Sequence, residues 1–526
     1  MGGQETERDQ GVTLAELLAA FSLATDLGLG QPMEHILRSW RVAARLAKQV
    51  ELDDDERASL YYIAVLAWVG CVADTPEVAK WFGDDIAFRR DSYQVDLAGL
   101  PGTAFMLGHV GSGSRAFHRL RLAATLVATG GQGIQRGLLS HCLTTSTMAQ
   151  KLGLGAQVCD PLMQFFTRWD GKGVPGGVGR EDIAPALRLF HLAHVVAAFH
   201  RTDGVDAAVE VARARSGSQF DPAVVDAFCP IAPDVLDDGG DPADLYDLIS
   251  ADPGLQHRLS GGELDGALEV VADFTDLRSS WRAGHSRGVA ELAGQAADLA
   301  GLPAAEVTAV QRAGLLHDIG MHGVPSTILD KPGALTATES ERMRMHAYYT
   351  ERVLARPVAL ARLGAIASLT HERLDGSGYH RGLSGAALRL PARILAAADA
   401  HRAMTEPRPY RPALTPKEAA AALREDVRAG RLATVAVDAV LTAAGERPRR
   451  RHTGPAGLTP REIQVLVLIA RGASTRQVAS ALDISTKTAG THIERTYAKT
   501  GVSSRATATL FALQHGLLDS FEPLDT

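Results

Sequence analysis

Residues 285–302 read HSRGVAELAGQAADLAGL. Val289, Leu292, Ala293, Ala296 and Leu299 recur at the spacing of one face of an α-helix. Similar Ala-, Leu- and Arg-rich patterns run through the chain, and strand-like alternation is scarce. The expected fold class is therefore all-α. The chain has 526 residues, enough for several domains, with 46% hydrophobic residues to supply a core. Its net charge of −7 excludes a uniformly basic nucleic-acid coat, so any nucleic-acid contact is local. Cys71, Cys142, Cys159 and Cys229 form no CxxC pair and read as buried free thiols. The N-terminus, MGGQETERDQ, is polar, and the longest apolar run, IAVLAWVGCVA (63–73), is too short to span a bilayer. The expected location is cytoplasmic, with no membrane partner.

The segments around 285–302 have echoes nearer the N-terminus. WDGKGVPGG (169–177) resembles LDGSGYHRG (374–382), and RLFHLAHVVAA (188–198) resembles RILAAADAHRA (393–403), both at an offset of 205 residues. Further upstream the offset becomes 250, which sets His35 opposite His285 and VLAWVG (65–70) opposite LLHDIG (315–320). The first copy thus carries about 45 extra residues, expected mainly in a loop. DVLDDGGDPADL (234–245) and ERPRRRHTGPAG (446–457) have linker composition. The expected organisation is a degenerate copy over 1–235, a second copy over 245–445, a basic linker over 446–457 and a C-terminal domain over 458–520.

The second copy concentrates ligand-type side chains. His285, the adjacent pair His317 and Asp318, His346, His371 and Asp399 are the candidate metal ligands. Asp399 sits in an otherwise apolar helix, where a carboxylate is costly unless paired or metal-bound. The adjacent His-Asp pair can ligate together, with Asp318 bridging two ions. Nitrogen and carboxylate ligands suit Mn, Fe, Ni or Zn. In the first copy Ala67 and Trp68 replace the His-Asp pair, Phe166 replaces His371, and His194 replaces Asp399. Such replacements fit a buried metal nest refilled with apolar bulk better than a polar surface.

The order His285, His317-Asp318, His346, His371-Glu372, Asp375-Gly-Ser-Gly-Tyr379, Asp399, with FTDLRSSWRAGHS (274–286) and ILDKPGALT (328–336), resembles the HD-GYP phosphohydrolases of the HD superfamily. The resemblance implies a helical bundle holding a two- or three-metal centre and hydrolysing a cyclic dinucleotide or related phosphodiester; Trp281, where a glutamate would support a third ion, points to two divalent transition-metal ions. The resemblance gives catalytic roles to Asp318 and Tyr379, and phosphate contacts to Arg408 and Arg411; Lys331, near in sequence but not an equivalent of a family residue, is a further substrate-binding candidate. Glu372, Asp375, Gly376 and Gly378 are expected to brace the loop, the glycines through positive φ. Thr370, Trp281, Met321 and His380 depart from the family pattern, Met321 where a lysine is usual. An alternative expectation is therefore a nucleotide-sensing regulator that binds without turnover.

LTPREIQVLVLIARGASTRQVASALDISTKTAGTHIERTYAKTGVSSRATA (458–508) contains a capping box at Thr459–Glu462, short helices expected at 475–482 and 486–500, and Gly501 as a stop. It resembles the LuxR-type helix-turn-helix, which makes 486–500 the recognition helix on double-stranded DNA. Lys487, Thr488, Thr491, His492, Arg495 and Lys499 are the expected DNA-binding residues. Residues 447–505 hold 11 Lys/Arg against 3 Asp/Glu, a local basicity suited to phosphate. LuxR-type domains commonly bind paired half-sites, so a homodimer is expected.

Overall fold

A computed structural model describes residues 11–112, 115–129, 132–237, 241, 243–446, 455–502, 504–515 and 517. The N-terminal decapeptide and most of the basic linker, 447–454, lie outside the described residues. Among those described, the chain is all-α, with isolated bridges and no strand. His285–Leu299 is a helix whose Val289, Leu292, Ala293 and Ala296 are buried, while Leu299 at its end is exposed.

The internal repeat is visible in the order of elements. His35–Gln49 and His285–Leu299 are both 15 residues long. Each follows a residue in the left-handed region, Glu34 at φ 71° and Gly284 at φ 77°. Asp54–Leu66 and Ala304–Leu316 follow, 13 residues each. Later the short turns Arg180–Asp182 and Gly385–Ala387 lead into the helices Pro185–Ala214 and Leu390–Thr405.

The extra residues of the first copy are not mainly loop, as the sequence suggested. They form the helices Cys71–Phe82, Asp85–Ser92, Gly99–His109 and Ala116–Ala128. Trp81, Phe82, Val110 and Leu126 give this insertion its own small apolar core, which stabilises helices that a bare loop would not form.

Described residues up to Glu446 belong to one compact unit, with one continuous core drawn from both copies. The acidic stretch 234–245 therefore joins two halves of a shared interior. Arg45 anchors part of it, donating to the carbonyls of Asp234 at 2.9 Å and Val235 at 3.2 Å. Arg278, almost fully buried, crosses between the copies. It donates to Asp85 and to Thr75 at 3.0 Å, and to the Val324 carbonyl at 2.7 Å. Asp85 also accepts from the Ser326 backbone N–H at 2.9 Å. The helical stretch 54–82 is long and apolar enough to cross a membrane by length and composition, but 83% of its window is buried inside the protein.

The second unit has its own core, around Leu458, Leu466, Ile469, Val478 and Ala489. Its helices are Pro460–Ala470, Thr475–Ala481, Thr486–Thr500 and Arg505–Gln514. The expected capping box and helix stop are present, with a further cap at Ser485. Thr459 and Glu462 close a capping box, Ser485 accepts from the Thr488 N–H, and Gly501 at φ 66° ends the third helix. The fourth helix has no counterpart in the sequence reading.

Candidate metal centre

His285 opens its helix, His317 and Asp318 follow the end of Ala304–Leu316, His346 lies within Ala337–Leu354, and Asp399 lies within Leu390–Thr405. The bundle brings all of these together with His371. Two ligand groups result: His285, His317 and Asp318, and Asp318, His346 and His371, each with donor atoms within 4.8 Å of one another. Asp318 belongs to both. Its Oδ2 lies 3.1 Å from His317 Nε2 and 3.7 Å from His285 Nε2, while its Oδ1 lies 3.8 Å from His346 Nε2. Asp399 joins the first group, with Oδ1 3.3 Å from His285 Nε2 and 3.6 Å from His317 Nε2.

The outer atoms of these rings are tied down, which fixes which nitrogen faces inward. His317 Nδ1 donates to the Gly314 carbonyl at 2.7 Å, and His346 Nδ1 to the Met343 carbonyl at 2.5 Å. His285 Nδ1 faces Glu406 Oε2 at 2.7 Å. Burial pushes His346 down to about 4, and burial with the neighbouring His346 lowers His371 well below the usual value. Both rings are therefore neutral near pH 7, with lone pairs available. Burial alone would raise Asp399, but hydrogen bonds from His285 and His317 hold it well below the carboxylate range.

The residues fit a metal. His346 Nε2 and His371 Nε2 are buried polar atoms without hydrogen-bond partners, and both belong to the ligand group that shares Asp318. Leaving such atoms unpaired costs about 1–3 kcal/mol each, which a shared cation would offset.

The loop after His371 is held by Glu372, which is almost fully buried and accepts from the backbone N–H of Arg381 at 2.7 Å and Leu383 at 2.8 Å. Asp375 accepts from the Ser377 N–H at 3.0 Å. Gly376 has φ 80°, as expected. Gly378 is needed for a different reason: a Cβ there would meet the Arg373 nitrogen at 2.4 Å and Glu372 Cα at 2.5 Å. The requirement is close backbone approach, not positive φ. Tyr379 stacks on His371 at 4.9 Å, and burial pushes its hydroxyl up to about 12, so it stays protonated.

The basic residues fall differently from the sequence reading. Arg411 donates to the carbonyls of Met404, Glu406, Pro412 and Ala403, closing the end of the Asp399 helix. Lys331 pairs with Glu339 at 2.5 Å. Arg408 is buried and donates to the Trp281 carbonyl at 2.8 Å and Glu406 at 3.0 Å. Two functional neighbours were missed. Arg282 sets its guanidinium against Asp318, and Glu406 orients His285. Glu406 lies seven residues after Asp399, two turns on along the same face, a usable signal. Arg282 lies in the segment FTDLRSSWRAGHS, three residues before His285, but nothing in that segment singles it out from Arg278.

On the helix Thr486–Thr500, Lys487, Thr488, Thr491 and Arg495 are exposed along one side, and His492 is half-buried. Lys499 is engaged inside its own unit, with Glu462 at 2.7 Å and the Gly457 carbonyl at 3.2 Å.

A helical bundle with a buried His/Asp cluster of this order defines an HD-domain protein, and residues 269–432 match the HD domain family. Residues 456–512 match the family of bacterial regulatory proteins, luxR family. The two matched segments resemble an HD-GYP-type domain and a LuxR-type helix-turn-helix domain. The chain is 29% identical over 419 residues to the 3'3'-cGAMP-specific phosphodiesterase 3 of Vibrio cholerae, covering 79% of this chain and 91% of that one. It is 40% identical over 160 residues to the cyclic di-GMP phosphodiesterase of Thermotoga maritima, covering 30% and 43% respectively. The crystal structure of a cyclic GMP-AMP-specific phosphodiesterase of V. cholerae aligns with a TM-score of 0.58 at 25% identity, over 83% of this chain and 99% of that one.

Proposed function

We propose that the chain is a DNA-binding transcription regulator whose HD-GYP-type unit hydrolyses a cyclic dinucleotide at a two-metal centre. The observation that carries this reading is the pair of buried ligand groups sharing Asp318. Two divalent ions of the Fe, Mn, Ni or Zn type, held by His285, His317, Asp318, His346, His371 and Asp399, would supply Lewis acidity and a bound water of lowered pKa. The chain's own groups do the rest. Glu406 and the Gly314 and Met343 carbonyls orient the imidazoles. Arg282, already against Asp318, is our choice for the scissile phosphate, and Arg408 holds the carbonyl of the preceding residue, Trp281. Arg344 lies over the Tyr379 ring at 5.3 Å and supplies a second cation near the loop. The Tyr379 hydroxyl is a neutral donor beside His371. The relatives named for 3'3'-cGAMP and cyclic di-GMP support the substrate class.

In the C-terminal unit, Lys487, Thr488, Thr491 and Arg495 form the proposed DNA face, and a homodimer would present two such helices to paired half-sites. Lys499 serves the fold of that unit through Glu462.

A second reading is a sensor that binds nucleotide without turnover. Met321 favours it, because this residue is buried with Val324, Ile328 and Leu329 in an apolar cluster. The discriminating experiment is metal analysis of anaerobically purified protein, coupled to product detection with 3'3'-cGAMP, cyclic di-GMP and a simple phosphodiester. Metal with linear product supports the enzyme. Metal and saturable nucleotide binding without product supports the sensor.

A further inference from the structure

A second cluster of metal-type ligands lies in the first copy, away from the shared Asp318. Cys71, Asp74 and His141 are all buried, and a donor atom from each lies within 4.8 Å of the others. Cys71 and Asp74 are three residues apart on the helix Cys71–Phe82, hence on one face. His141 comes from the helix Gln132–Lys151 packed against it.

The hydrogen bonding around the imidazole is informative. His141 Nε2 lies 2.7 Å from the Ala67 carbonyl, which can only accept, so Nε2 carries a proton. His141 Nδ1 lies 3.2 Å from Asp74 Oδ2, another acceptor. A neutral ring would therefore aim a lone pair at a carboxylate. Only a cation resolves this, either a proton on Nδ1 or a metal ion held by both atoms. The other oxygen, Asp74 Oδ1, accepts from Arg89 Nη2 at 2.5 Å. Arg89 is fixed in turn by Asp85 at 2.9 Å and the Cys71 carbonyl at 2.9 Å. One ligand ring is thus oriented by a backbone carbonyl and one carboxylate by a guanidinium, and the cluster's donor atoms, the thiol included, lie within 4.8 Å of one another. This is the outer support that metal ligands require.

We propose that Cys71, Asp74 and His141 bind one zinc-class divalent ion. A thiolate, an imidazole and a carboxylate form a mixed S/N/O set that suits Zn(II), with the fourth position left to water. The site is separate in residues and chemistry from the proposed phosphodiesterase centre, which contains no cysteine. It replaces what the first copy lost. His141 occupies the place of His346 at the 205-residue offset, and Cys71 and Asp74 supply ligands just beyond Ala67 and Trp68. The ion would pin two helices of the first copy. Through Arg89, Asp85 and Arg278 it would also steady the Val324–Ser326 segment that follows the His317-Asp318 pair.

The test uses the full chain carrying Asp318→Ala, purified under reducing, anaerobic conditions and loaded with Co(II). A thiolate-to-cobalt charge-transfer band in the near ultraviolet can come only from a cysteine ligand. The expected result is that band, at about one equivalent of cobalt per chain. Adding Cys71→Ser should abolish it, and Asp74→Asn should weaken cobalt binding by about 10-fold or more. Zinc should displace the cobalt and bleach the band. No band in the parent protein at saturating cobalt would overturn the proposal and leave a proton between His141 and Asp74. A band that survives Cys71→Ser would overturn it as well. The parent reading needs no further variant, so misfolding of the serine form cannot mask either result.

Discussion

At the start of the helix His285–Leu299, His285 faces Asp318, Asp399 and Glu406. At the matching start of His35–Gln49, His35 instead accepts from Arg201 at 3.0 Å and meets the Tyr93 ring edge-on at 5.1 Å. Where Asp318 stands in one copy, Trp68 stands in the other, ringed by Phe165 at 4.9 Å, Tyr93 at 5.5 Å and His194 at 5.7 Å. The difference follows from what a buried carboxylate demands. Without a cation it costs several kcal/mol, so a copy that gives up its metal gains by filling the space. One backbone arrangement therefore supports either a polar centre or an aromatic plug, and the ligand positions decide which.

Asp318→Ala is the strongest way to break this comparison. Asp318 serves both ligand groups, so its loss should remove metal from the centre and reduce hydrolysis to background, a fall on the order of 1,000-fold or more. Metal analysis alongside product assay reads both. Full retention of the Asp318-dependent metal would show that the second copy does not use its polar residues as ligands. The matching change in the first copy, Trp68→Ala, should leave hydrolysis and the metal of that centre in place while destabilising the fold by about 3 kcal/mol, measured by urea unfolding. A change in metal content there would make the plug part of the centre after all.

Glu406→Gln sharpens the contrast at lower amplitude. It keeps the shape but weakens the anchor on His285 Nδ1, and metal affinity should fall about 10- to 100-fold by competition titration. The first copy offers no carboxylate in that role, since Arg201 occupies His35 Nδ1. The same substitution should leave urea stability of the metal-free protein nearly unchanged.

The comparison also shows what a sequence can carry. The clustering of His285, His317, Asp318, His346, His371 and Asp399 was legible because so many ligand-type side chains in so apolar a setting are unusual, and the first copy offered a contrast at His317, Asp318, His371 and Asp399. The capping box at Thr459 and Glu462 was legible because capping is local. The roles of Arg408, Arg411 and Lys331 were not, because a cation's partner is set by tertiary neighbours. Arg411 meets four carbonyls that no spacing rule predicts. The packing of both copies into one core was hidden for a similar reason: Arg278 and Asp85 are about 190 residues apart in sequence, and no spacing rule pairs them. Gly378 was correctly singled out, but only coordinates reveal that backbone crowding is the cause.

The smallest expected difference lies in acid sensitivity. In the first copy, burial and the neighbouring His194 push His191 down to about 3, and its Nε2 donates to the Phe165 carbonyl at 2.8 Å. The folded state thus keeps this ring neutral, while the unfolded chain protonates it near pH 6.5. Above that pH the group is neutral in both states and contributes nothing. Below it only the unfolded chain gains the proton, so stability should fall by about 1.4 kcal/mol per pH unit for this group until the folded pKa is reached. His141 does not hide the trend. Burial lowers its pKa, but Cys71 and Asp74 raise it well above 6.5, so its contribution is already complete below that pH. His191→Gln keeps a donor for the Phe165 carbonyl without a titrating ring. Urea unfolding at pH 7 and pH 5 should therefore show a shallower loss in the variant than in the parent. Equal losses would mean that the apolar filling of the first copy does not hold its histidines neutral, and that the two interiors differ less than their residues suggest.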